Sequence, residues 1–209
     1  MLTINGRKKL RENLDEYLTN LDKLYVAIQR TTGCNVIIDS SKFSSYGFIL
    51  SMLPSVDVYY LHLIRDSRAV AYSRLKRKKW EETGIYMARY NPLRSSLQWS
   101  VLNLTSELLN DPFWGRYMQL RYEELIQQPE PSVRKIVEFL DETPKELSSI
   151  QGNKVKIKKT HTNWGNPIRN IDGYIELMVD REWQFALSRK SRALVSTLTM
   201  PLLLRYRYY

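Results

Sequence analysis

The sequence has very little of what would cross-link the chain or hold a metal ion. Among 209 residues there is one cysteine, Cys34, and there are two histidines, His62 and His161. A single cysteine excludes an internal disulfide framework, and the three residues together lack metal-ligand spacing. The composition therefore predicts a cytoplasmic protein without a metal site.

Long apolar runs are also missing. No stretch approaches the roughly 18 to 20 apolar residues that a membrane-spanning helix needs. The opening residues, MLTINGRKKLRENLDEYL, are polar and have the character of neither a signal peptide nor a transit peptide. We therefore expect no membrane span.

Acidic residues are in deficit, since 22 Asp and Glu stand against 32 Lys and Arg, which gives a formal net charge of +10. This excess indicates an anionic partner, and nucleic acid, a phosphorylated cofactor and an acidic surface all fit it. The basic residues fall in several short runs of the kind that usually forms solvated faces. A hydrophobic fraction of 43% and a charged fraction of 26% are ordinary for a folded protein, which we take as one domain, residues 1–209.

Helix-like and strand-like patterns alternate along the chain. Leucines at helical spacing predict an amphipathic helix that ends near Gly33. Strands are predicted at 35–39, at 58–64 with both faces buried, and near 117–122. Helices are predicted between them, at about 45–53, 69–79, from 92 onward and through EPSVRKIVEFLD. This order predicts an α/β layered domain with a mostly parallel sheet flanked by helices.

The last third of the chain has a different texture. Residues 152–173 are rich in Gly, Asn and Lys, and we expect them to form a long loop of a functional type. The tail from Arg181 returns to a helical pattern, which Pro201 is expected to end or kink.

One strand-to-helix turn carries charge where a ligand would bind. Arg65 follows the strand 58–64, and Asp66 is expected to cap the next helix. In an open parallel sheet such a turn lies at the carboxyl edge, where a helix N terminus favours an anion. The small residues Ala69 and Ser73 share the stripe of Asp66 and are expected to leave room for a ligand. The Arg65 guanidinium, the amides of the helix N terminus and the Ser73 hydroxyl together suit a phosphate. On these residues alone, however, an arginine that opens a helix is more often a solvated surface charge.

Segments from residue 35 to the C terminus resemble sulfotransferases that use 3′-phosphoadenylyl sulfate, particularly the bacterial ones. HLIRDSRAVAYS resembles the 3′-phosphate site of that family, and Arg65 and Ser73 occupy its two positions. LRYEELIQQPEPSVRKIVEFLD resembles the strand and helix in which a tyrosine, here Tyr122, lies against the adenine. A core aromatic is the alternative for Tyr122, and the acidic pair after it favours the adenine contact.

Two further segments complete the resemblance. HTNWGNPIRN, residues 161–170, resembles the loop that closes over the nucleotide, and its implied contacts are His161, Gly165, Asn166 and Arg169. For His161 we expect phosphate contact or anchoring of the loop ahead of catalysis. VIIDSSK, residues 36–42, resembles a strand end that lies beside the transferred group.

The last of these segments supplies the candidate catalytic residues. Lys42 could neutralise charge that develops on the leaving nucleotide, with a surface lysine as an equal alternative. Asp39 could orient the acceptor or act as a base, but a strand-end aspartate more often caps the next turn. His62 lies inside a predicted strand and is interpreted as a hydrogen-bonded core histidine without a role in the site.

The resemblance implies a fold like that of P-loop nucleotide kinases. It also implies transfer of a sulfuryl group from 3′-phosphoadenylyl sulfate, as co-substrate, to a hydroxyl or amine of a small molecule or carbohydrate, without a metal. A nucleotide-binding remnant without turnover is the alternative. A basic nucleic-acid-binding protein fits less well, because the sequence has no helix-turn-helix or zinc pattern, and no specific nucleic acid is expected.

The chain departs from that family in one respect. Its members open with a strand, a turn of the form P-[RK]-S-G-[ST]-[ST] and a helix, whose amides bind the 5′-phosphosulfate. The first 34 residues contain only the glycines Gly6 and Gly33 and no such turn, so we expect an N-terminally incomplete domain. The sheet edges of such a domain lack a pairing strand and can pair with a second copy of the chain, so a homo-oligomer is an alternative to the monomer.

Overall fold

The computed structural model describes residues 4–77, 79, 84, 86–111, 115–144, 146–158 and 171–208. Its elements follow the order α1 (Ile4–Thr32), α2 (Ser44–Leu50), β1 (Tyr59–Ile64), α3 (Ser67–Leu75), α4 (Pro92–Glu107), β2 (Arg116–Arg121), α5 (Tyr122–Gln127), α6 (Pro129–Phe139), β3 (Ile150–Gln151), β4 (Lys154–Ile157), β5 (Gly173–Glu176), α7 (Trp183–Ala186) and α8 (Arg189–Arg205). The prediction of a mixed α/β protein with helices and a parallel sheet is confirmed. That sheet consists of β1 and β2, while β3, β4 and β5 form a separate antiparallel sheet.

The chain divides into two compact units. The first contains Met1–Leu61 and Leu104–Met118, and the second contains His62–Asn103 and Gln119–Tyr209. That all 209 residues form one domain remains a prediction.

The core of the first unit lies between α1 and α2. Leu21 and Tyr25 of α1 pack with Leu50 of α2 and with Leu53 just beyond it. In its second half, the predicted apolar stripe of α1 is therefore buried at Leu21 and Tyr25 but exposed at Leu24. In its first half it is exposed at Leu10 and Leu14.

The end of α1 is where the sequence predicts it. Gly33 adopts φ +66, a left-handed conformation that glycine reaches without steric cost, and its amide donates to the carbonyl oxygen of Gln29 at 2.8 Å. The strand predicted at 35–39 is wrong, because these residues form no ladder in the structure. An apolar run becomes a strand only when a neighbour accepts its backbone bonds. Here Ile37 packs on the core of the first unit while Ile38 is exposed.

Strand β1 matches the prediction in place but not in burial. Tyr60 and Ile64 are buried, whereas Leu61 and Leu63 on the other face are 41% and 42% exposed. The strand therefore alternates between a buried and an open face, instead of being buried on both faces. β2 ends at Arg121, and the following residue, Tyr122, begins α5.

The four helices predicted among the strands are present as α2, α3, α4 and α6. Asn91 caps α4 as predicted, since its side chain accepts from the Arg94 amide at 2.8 Å. α3 ends at Leu75, earlier than the predicted 79. α8 continues through Pro201 to Arg205, so this proline does not end the helix.

The long loop predicted at 152–173 is partly wrong. β3 and β4 form a hairpin in which Gln151 pairs with Lys154, and β5 pairs with β4. Gly152, at φ +61, takes the first central position of the two-residue turn, as a type II′ turn requires. The alternation KVKI is itself a strand signal that the loop prediction overlooked, because its two lysines are exposed while its valine and isoleucine, on the other face, are half-buried.

The second unit has two groups of buried apolar residues. Ile64 and Trp99 pack with Leu202, Leu203 and Tyr206 of the C-terminal segment. The smaller group consists of Ala69, Trp183 and Leu187. Burial of each large side chain in these groups contributes roughly 1.5–3 kcal/mol, and together they support the strand end that carries Arg65.

Candidate functional site

The backbone at the end of β1 is held from two directions. Trp99 of α4 donates its Nε1–H to the carbonyl oxygen of Arg65 at 2.9 Å. The Tyr208 hydroxyl lies 3.0 Å from the carbonyl oxygen of Ile64 and also donates to the Glu123 carboxylate. Because Trp99 and Ile64 belong to the core, the Arg65 side chain extends from a fixed base.

Asp66 caps α3, as the sequence predicts. Its Oδ1 accepts from the Arg68 amide at 2.8 Å, and the Arg68 guanidinium folds back so that Nη2 lies 2.7 Å from Oδ2. Asp66 is 6% exposed, and this fork neutralises its buried charge. The Arg68 amide, in the first turn of α3, is therefore already bonded to the cap and is not available to an external anion.

The first turn of α5 completes the support of this turn. Glu123 accepts from the Asp66 amide at 3.2 Å and from the Tyr208 hydroxyl. Burial, together with the hydrogen bond to Glu123, raises the pKa of Tyr208 far above its usual range. The phenol thus keeps its proton and remains a donor at neutral pH.

The Arg65 side chain lies between an aromatic ring and a carboxylate. Its guanidinium carbon is 5.0 Å from the centroid of the Tyr122 ring, and its Nη2 is 3.1 Å from Oδ2 of Asp180. The Arg65 side chain is 26% exposed, so it is neither buried nor freely solvated. The structure therefore brings two of the predicted nucleotide contacts, Arg65 and Tyr122, next to each other.

Ser73 lies on α3, two turns beyond Arg65, and is half-buried. The expectation that the stripe through Ala69 leaves room for a ligand is wrong at Ala69 itself. Ala69 is 2% exposed and packs against Trp183 and Leu187. The small side chain there admits the indole ring of α7.

The segment that leads into α7 is bound to α3 by polar contacts as well. Glu182 accepts from the Tyr72 hydroxyl and forms an ion pair with Lys76. The hydrogen bond to Glu182, with some burial, raises the pKa of Tyr72 to about 12. The hydrogen bonds from Lys76 and Tyr72 in turn lower the pKa of Glu182. Residues 180–187 therefore lie along the helix that follows Arg65.

The two candidate catalytic residues lie in the first unit. Asp39 accepts from the Ser41 amide at 2.7 Å and from the Tyr25 hydroxyl, so it has the turn-capping role that the sequence favoured. Burial works to raise the pKa of Asp39, but hydrogen bonds from Ser41 and Tyr25 outweigh it and lower that pKa overall. Lys42 is exposed.

Four predicted contacts fall outside the described residues. These are His161, Gly165, Asn166 and Arg169, all within 159–170. His62, which was given no role, is half-buried and lies 2.8 Å from Oδ1 of Asn103 through its Nε2. Because the Asn103 amide nitrogen donates to Trp99, its oxygen faces the histidine, and His62 Nε2 is the donor.

Sequence reasoning missed the residues that surround Arg65. Glu123 could have been found, since it is the first acid of the YEEL motif that suggested Tyr122. Trp99 and Tyr208 carry no local signal for their bonds to β1. Asp180 could not have been found, because it lies 115 residues from its partner Arg65.

An arginine on a fixed strand end, a capped helix after it and an aromatic ring beside the cation together form one strand-to-helix turn of an α/β protein. A family model described as "Sulfotransferase family" matches residues 9–146, which is more than half of the chain. The chain belongs to the sulfotransferase family, which is a family of enzymes.

Two curated sulfotransferases are similar to part of this chain. Carbohydrate sulfotransferase 3 from Homo sapiens is 32% identical over 117 residues, which cover 48% of this chain and 24% of that protein. Protein-tyrosine sulfotransferase from Drosophila melanogaster is 32% identical over 110 residues, 52% of this chain and 20% of that protein. The chain thus aligns with about a quarter or less of the length of these relatives. No solved structure matches.

The described part of the chain contains no candidate for a membrane-spanning helix or for a metal-ion site. None of its helices combines the length and apolar character needed to cross a membrane. Nor do its His, Cys, Asp and Glu side chains form a group of three or more that could hold a metal ion.

Proposed function

We propose that this chain binds 3′-phosphoadenylyl sulfate and transfers its sulfuryl group to an acceptor hydroxyl. In that reaction the bond between sulfur and the bridging phosphate oxygen breaks, and a bond forms between sulfur and the acceptor oxygen. The acceptor proton passes to a base, and adenosine 3′,5′-bisphosphate leaves. Such a transfer depends on positioning and on charge stabilisation at the leaving oxygen.

The observation that carries the proposal is the pairing of Arg65 with Tyr122. A guanidinium 5.0 Å from an aromatic centroid, on a backbone fixed by Trp99, offers a cation for a phosphate beside a ring for a base. A nucleotide with a 3′-phosphate carries these two groups on neighbouring parts of one ribose. Arg65, with Ser73 and Arg169, would bind the 3′-phosphate, and Tyr122 would contact the adenine.

The other roles follow the family resemblance. Lys42 would neutralise charge on the leaving phosphate, and Asp39 would orient the acceptor through the turn that it caps. His161, Gly165 and Asn166 would contact the nucleotide from the late loop. A fold like that of P-loop nucleotide kinases belongs to the same proposal.

The names of the relatives suggest the acceptor. One is a carbohydrate sulfotransferase and the other a protein-tyrosine sulfotransferase, and both sugars and tyrosine offer hydroxyl groups. We therefore favour a hydroxyl over an amine for this chain. We propose the cytoplasm as the compartment of this protein, because a chain with a single cysteine forms no internal disulfide.

The first test compares two nucleotides. Adenosine 3′,5′-bisphosphate should stabilise the chain more than adenosine 5′-phosphate does. At a hundredfold excess over its dissociation constant, the bisphosphate should stabilise the chain by about 2.7 kcal/mol relative to the ligand-free protein. Arg65→Ala should weaken binding of the bisphosphate by about 2 kcal/mol, the scale of a lost charge-assisted hydrogen bond. Thermal shift and calorimetry measure both effects.

Arg134→Ala is the matched control, because it also removes one positive charge but from a surface pair with Glu130 on α6. It should change bisphosphate affinity little. Equal stabilisation by the two nucleotides, or equal losses from the two arginine variants, would contradict the assignment of Arg65.

A further inference from the structure

The ion pair between Arg65 and Asp180 places a carboxylate where the proposed function needs a phosphate. Nη2 of Arg65 and Oδ2 of Asp180 are 3.1 Å apart, and their side chains are 26% and 34% exposed. Both are partly open to water, so an external anion can reach the pair. Arg65 therefore already has an anionic partner within its own chain.

The Asp180 carboxylate is built into its position. Its Oδ1 accepts from the Glu182 amide at 3.1 Å, which leaves Oδ2 directed at Arg65. Glu182 is in turn bonded to Tyr72 and Lys76, and Trp183 packs on Ala69. These contacts hold residues 180–183 on α3 without any help from Arg65.

A carboxylate and a phosphate cannot share one guanidinium without repelling each other. At neutral pH a phosphomonoester carries about −1.5 to −2 charges. It binds a guanidinium best through two parallel N–H···O bonds. Both edges of a guanidinium that can form such a pair include Nη2, the nitrogen that Asp180 now contacts. The Tyr122 ring keeps the guanidinium in place from another direction, so Arg65 need not move when Asp180 leaves it.

We propose that Asp180 is an internal competitor of the 3′-phosphate, bound to Arg65 in the empty site and displaced by the nucleotide. This inference rests on the proposed function. It explains how an enzyme of this kind releases its product, because adenosine 3′,5′-bisphosphate keeps the 3′-phosphate that the donor carried. Asp180 then supplies Arg65 with a replacement partner as the product leaves.

The test is the affinity of the 209-residue chain for adenosine 3′,5′-bisphosphate, measured by calorimetry. Asp180→Asn keeps the shape and removes the charge. It should tighten bisphosphate binding about two- to fivefold, the range that partly exposed ion pairs support. Binding of adenosine 5′-phosphate should not change. The second variant is Asp180→Ser, whose hydroxyl can still accept from the Glu182 amide. It should tighten bisphosphate binding to a similar extent.

Three controls separate the explanations. Glu176→Gln removes a negative charge on β5 from a side chain bonded to Asn153, and should have no effect. Glu182→Gln weakens the attachment of the same segment but keeps the Asp180 carboxylate, and should tighten bisphosphate binding clearly less than Asp180→Asn does. In an Arg65→Ala background, Asp180→Asn should no longer tighten binding.

The outcomes are distinct for the two proposals. In one outcome, Arg65→Ala abolishes the preference for the bisphosphate while Asp180→Asn leaves the bisphosphate affinity unchanged or lowers it. That result would contradict the proposal that Asp180 is a competitor and would support the proposed nucleotide site. A gain from Glu182→Gln as large as that from Asp180→Asn also overturns it, since mobility of the segment then explains the effect. If the wild-type chain does not distinguish the two nucleotides, the proposed function and this inference fail together.

Discussion

Tyr208 shows how one residue far along the chain supports the turn at Arg65. Its hydroxyl can donate to the Ile64 carbonyl oxygen or to Glu123, and it is the protonated phenol that makes either bond. Burial and the Glu123 carboxylate raise the pKa of this phenol in the folded chain. In the unfolded chain the phenol loses its proton near pH 10.

This difference predicts a loss of stability at alkaline pH. Above about pH 10 the unfolded state binds fewer protons than the folded state, so the free energy of unfolding falls as pH rises. Tyr208→Phe should lower stability at pH 8 and should show a shallower decline between pH 10 and 11.5. Urea unfolding at pH 8, 10 and 11.5 measures both.

Tyr17→Phe, on the exposed face of α1, is the control and should decline as the wild type does. A Tyr208→Phe curve parallel to that of the wild type would show that Tyr208 does not contribute to the alkaline loss.

At the scale of elements, the approach of β2 to β1 depends on a glycine. Gly115 precedes β2 with φ +133, and the next amide, that of Arg116, donates to the carbonyl oxygen of Val58 at 3.2 Å. A Cβ on Gly115 would lie 2.5 Å from that same oxygen and 3.1 Å from the Tyr60 ring. Both the backbone conformation and the contact therefore require glycine.

Gly115→Ala should destabilise the protein by about 2 kcal/mol or more, since strain and a backbone clash add. In a chain of this size that lowers Tm by about 4–8 °C. Gly152→Ala is the comparison, because Gly152 has φ +61 but nothing within 4 Å of an added Cβ. It should cost about 1 kcal/mol, from the conformation alone. Equal losses of Tm in the two variants would show that β1 and β2 can move apart at Gly115 without a loss of stability.

At the scale of the whole molecule, the proposed function assigns Arg65 to the 3′-phosphate, but residues 1–209 contain no turn of the form P-[RK]-S-G-[ST]-[ST] for the 5′-phosphosulfate. The 5′ group is where charge develops in the transition state. Loss of one preorganised donor at such a place costs about 10²–10³ in rate, and a whole turn should cost more.

We therefore expect residues 1–209 alone to bind the nucleotide weakly and to carry out the proposed transfer much more slowly than a relative that contains the turn. The measurement is transfer of labelled sulfate to sugars and to tyrosine peptides, with a full-length relative as positive control. Fusing the strand, turn and helix of that relative should raise both Tm and turnover. Robust turnover by the unfused chain would show that α1 or a partner subunit supplies the 5′ contacts.

Local chemistry determined what the sequence alone could predict. The Asp66 and Asn91 caps and the glycine end of α1 at Gly33 depend on bonds that span four residues or fewer. The alternation of strands and helices, and the position of Arg65 at the end of β1, follow from side-chain periodicity. These features need no knowledge of distant residues, because hydrogen bonds within a turn and the burial of one face are set by neighbours in the chain.

Tertiary structure decided the features that depend on distant partners. The strand predicted at 35–39 lacks a ladder, since pairing requires a second strand and not only an apolar run. The space predicted at Ala69 is filled by Trp183, and Arg65 is paired with Asp180, 115 residues later. The sequence could place a cation at a strand end, but packing and long-range charge determined which ring lies beside it and which carboxylate binds it.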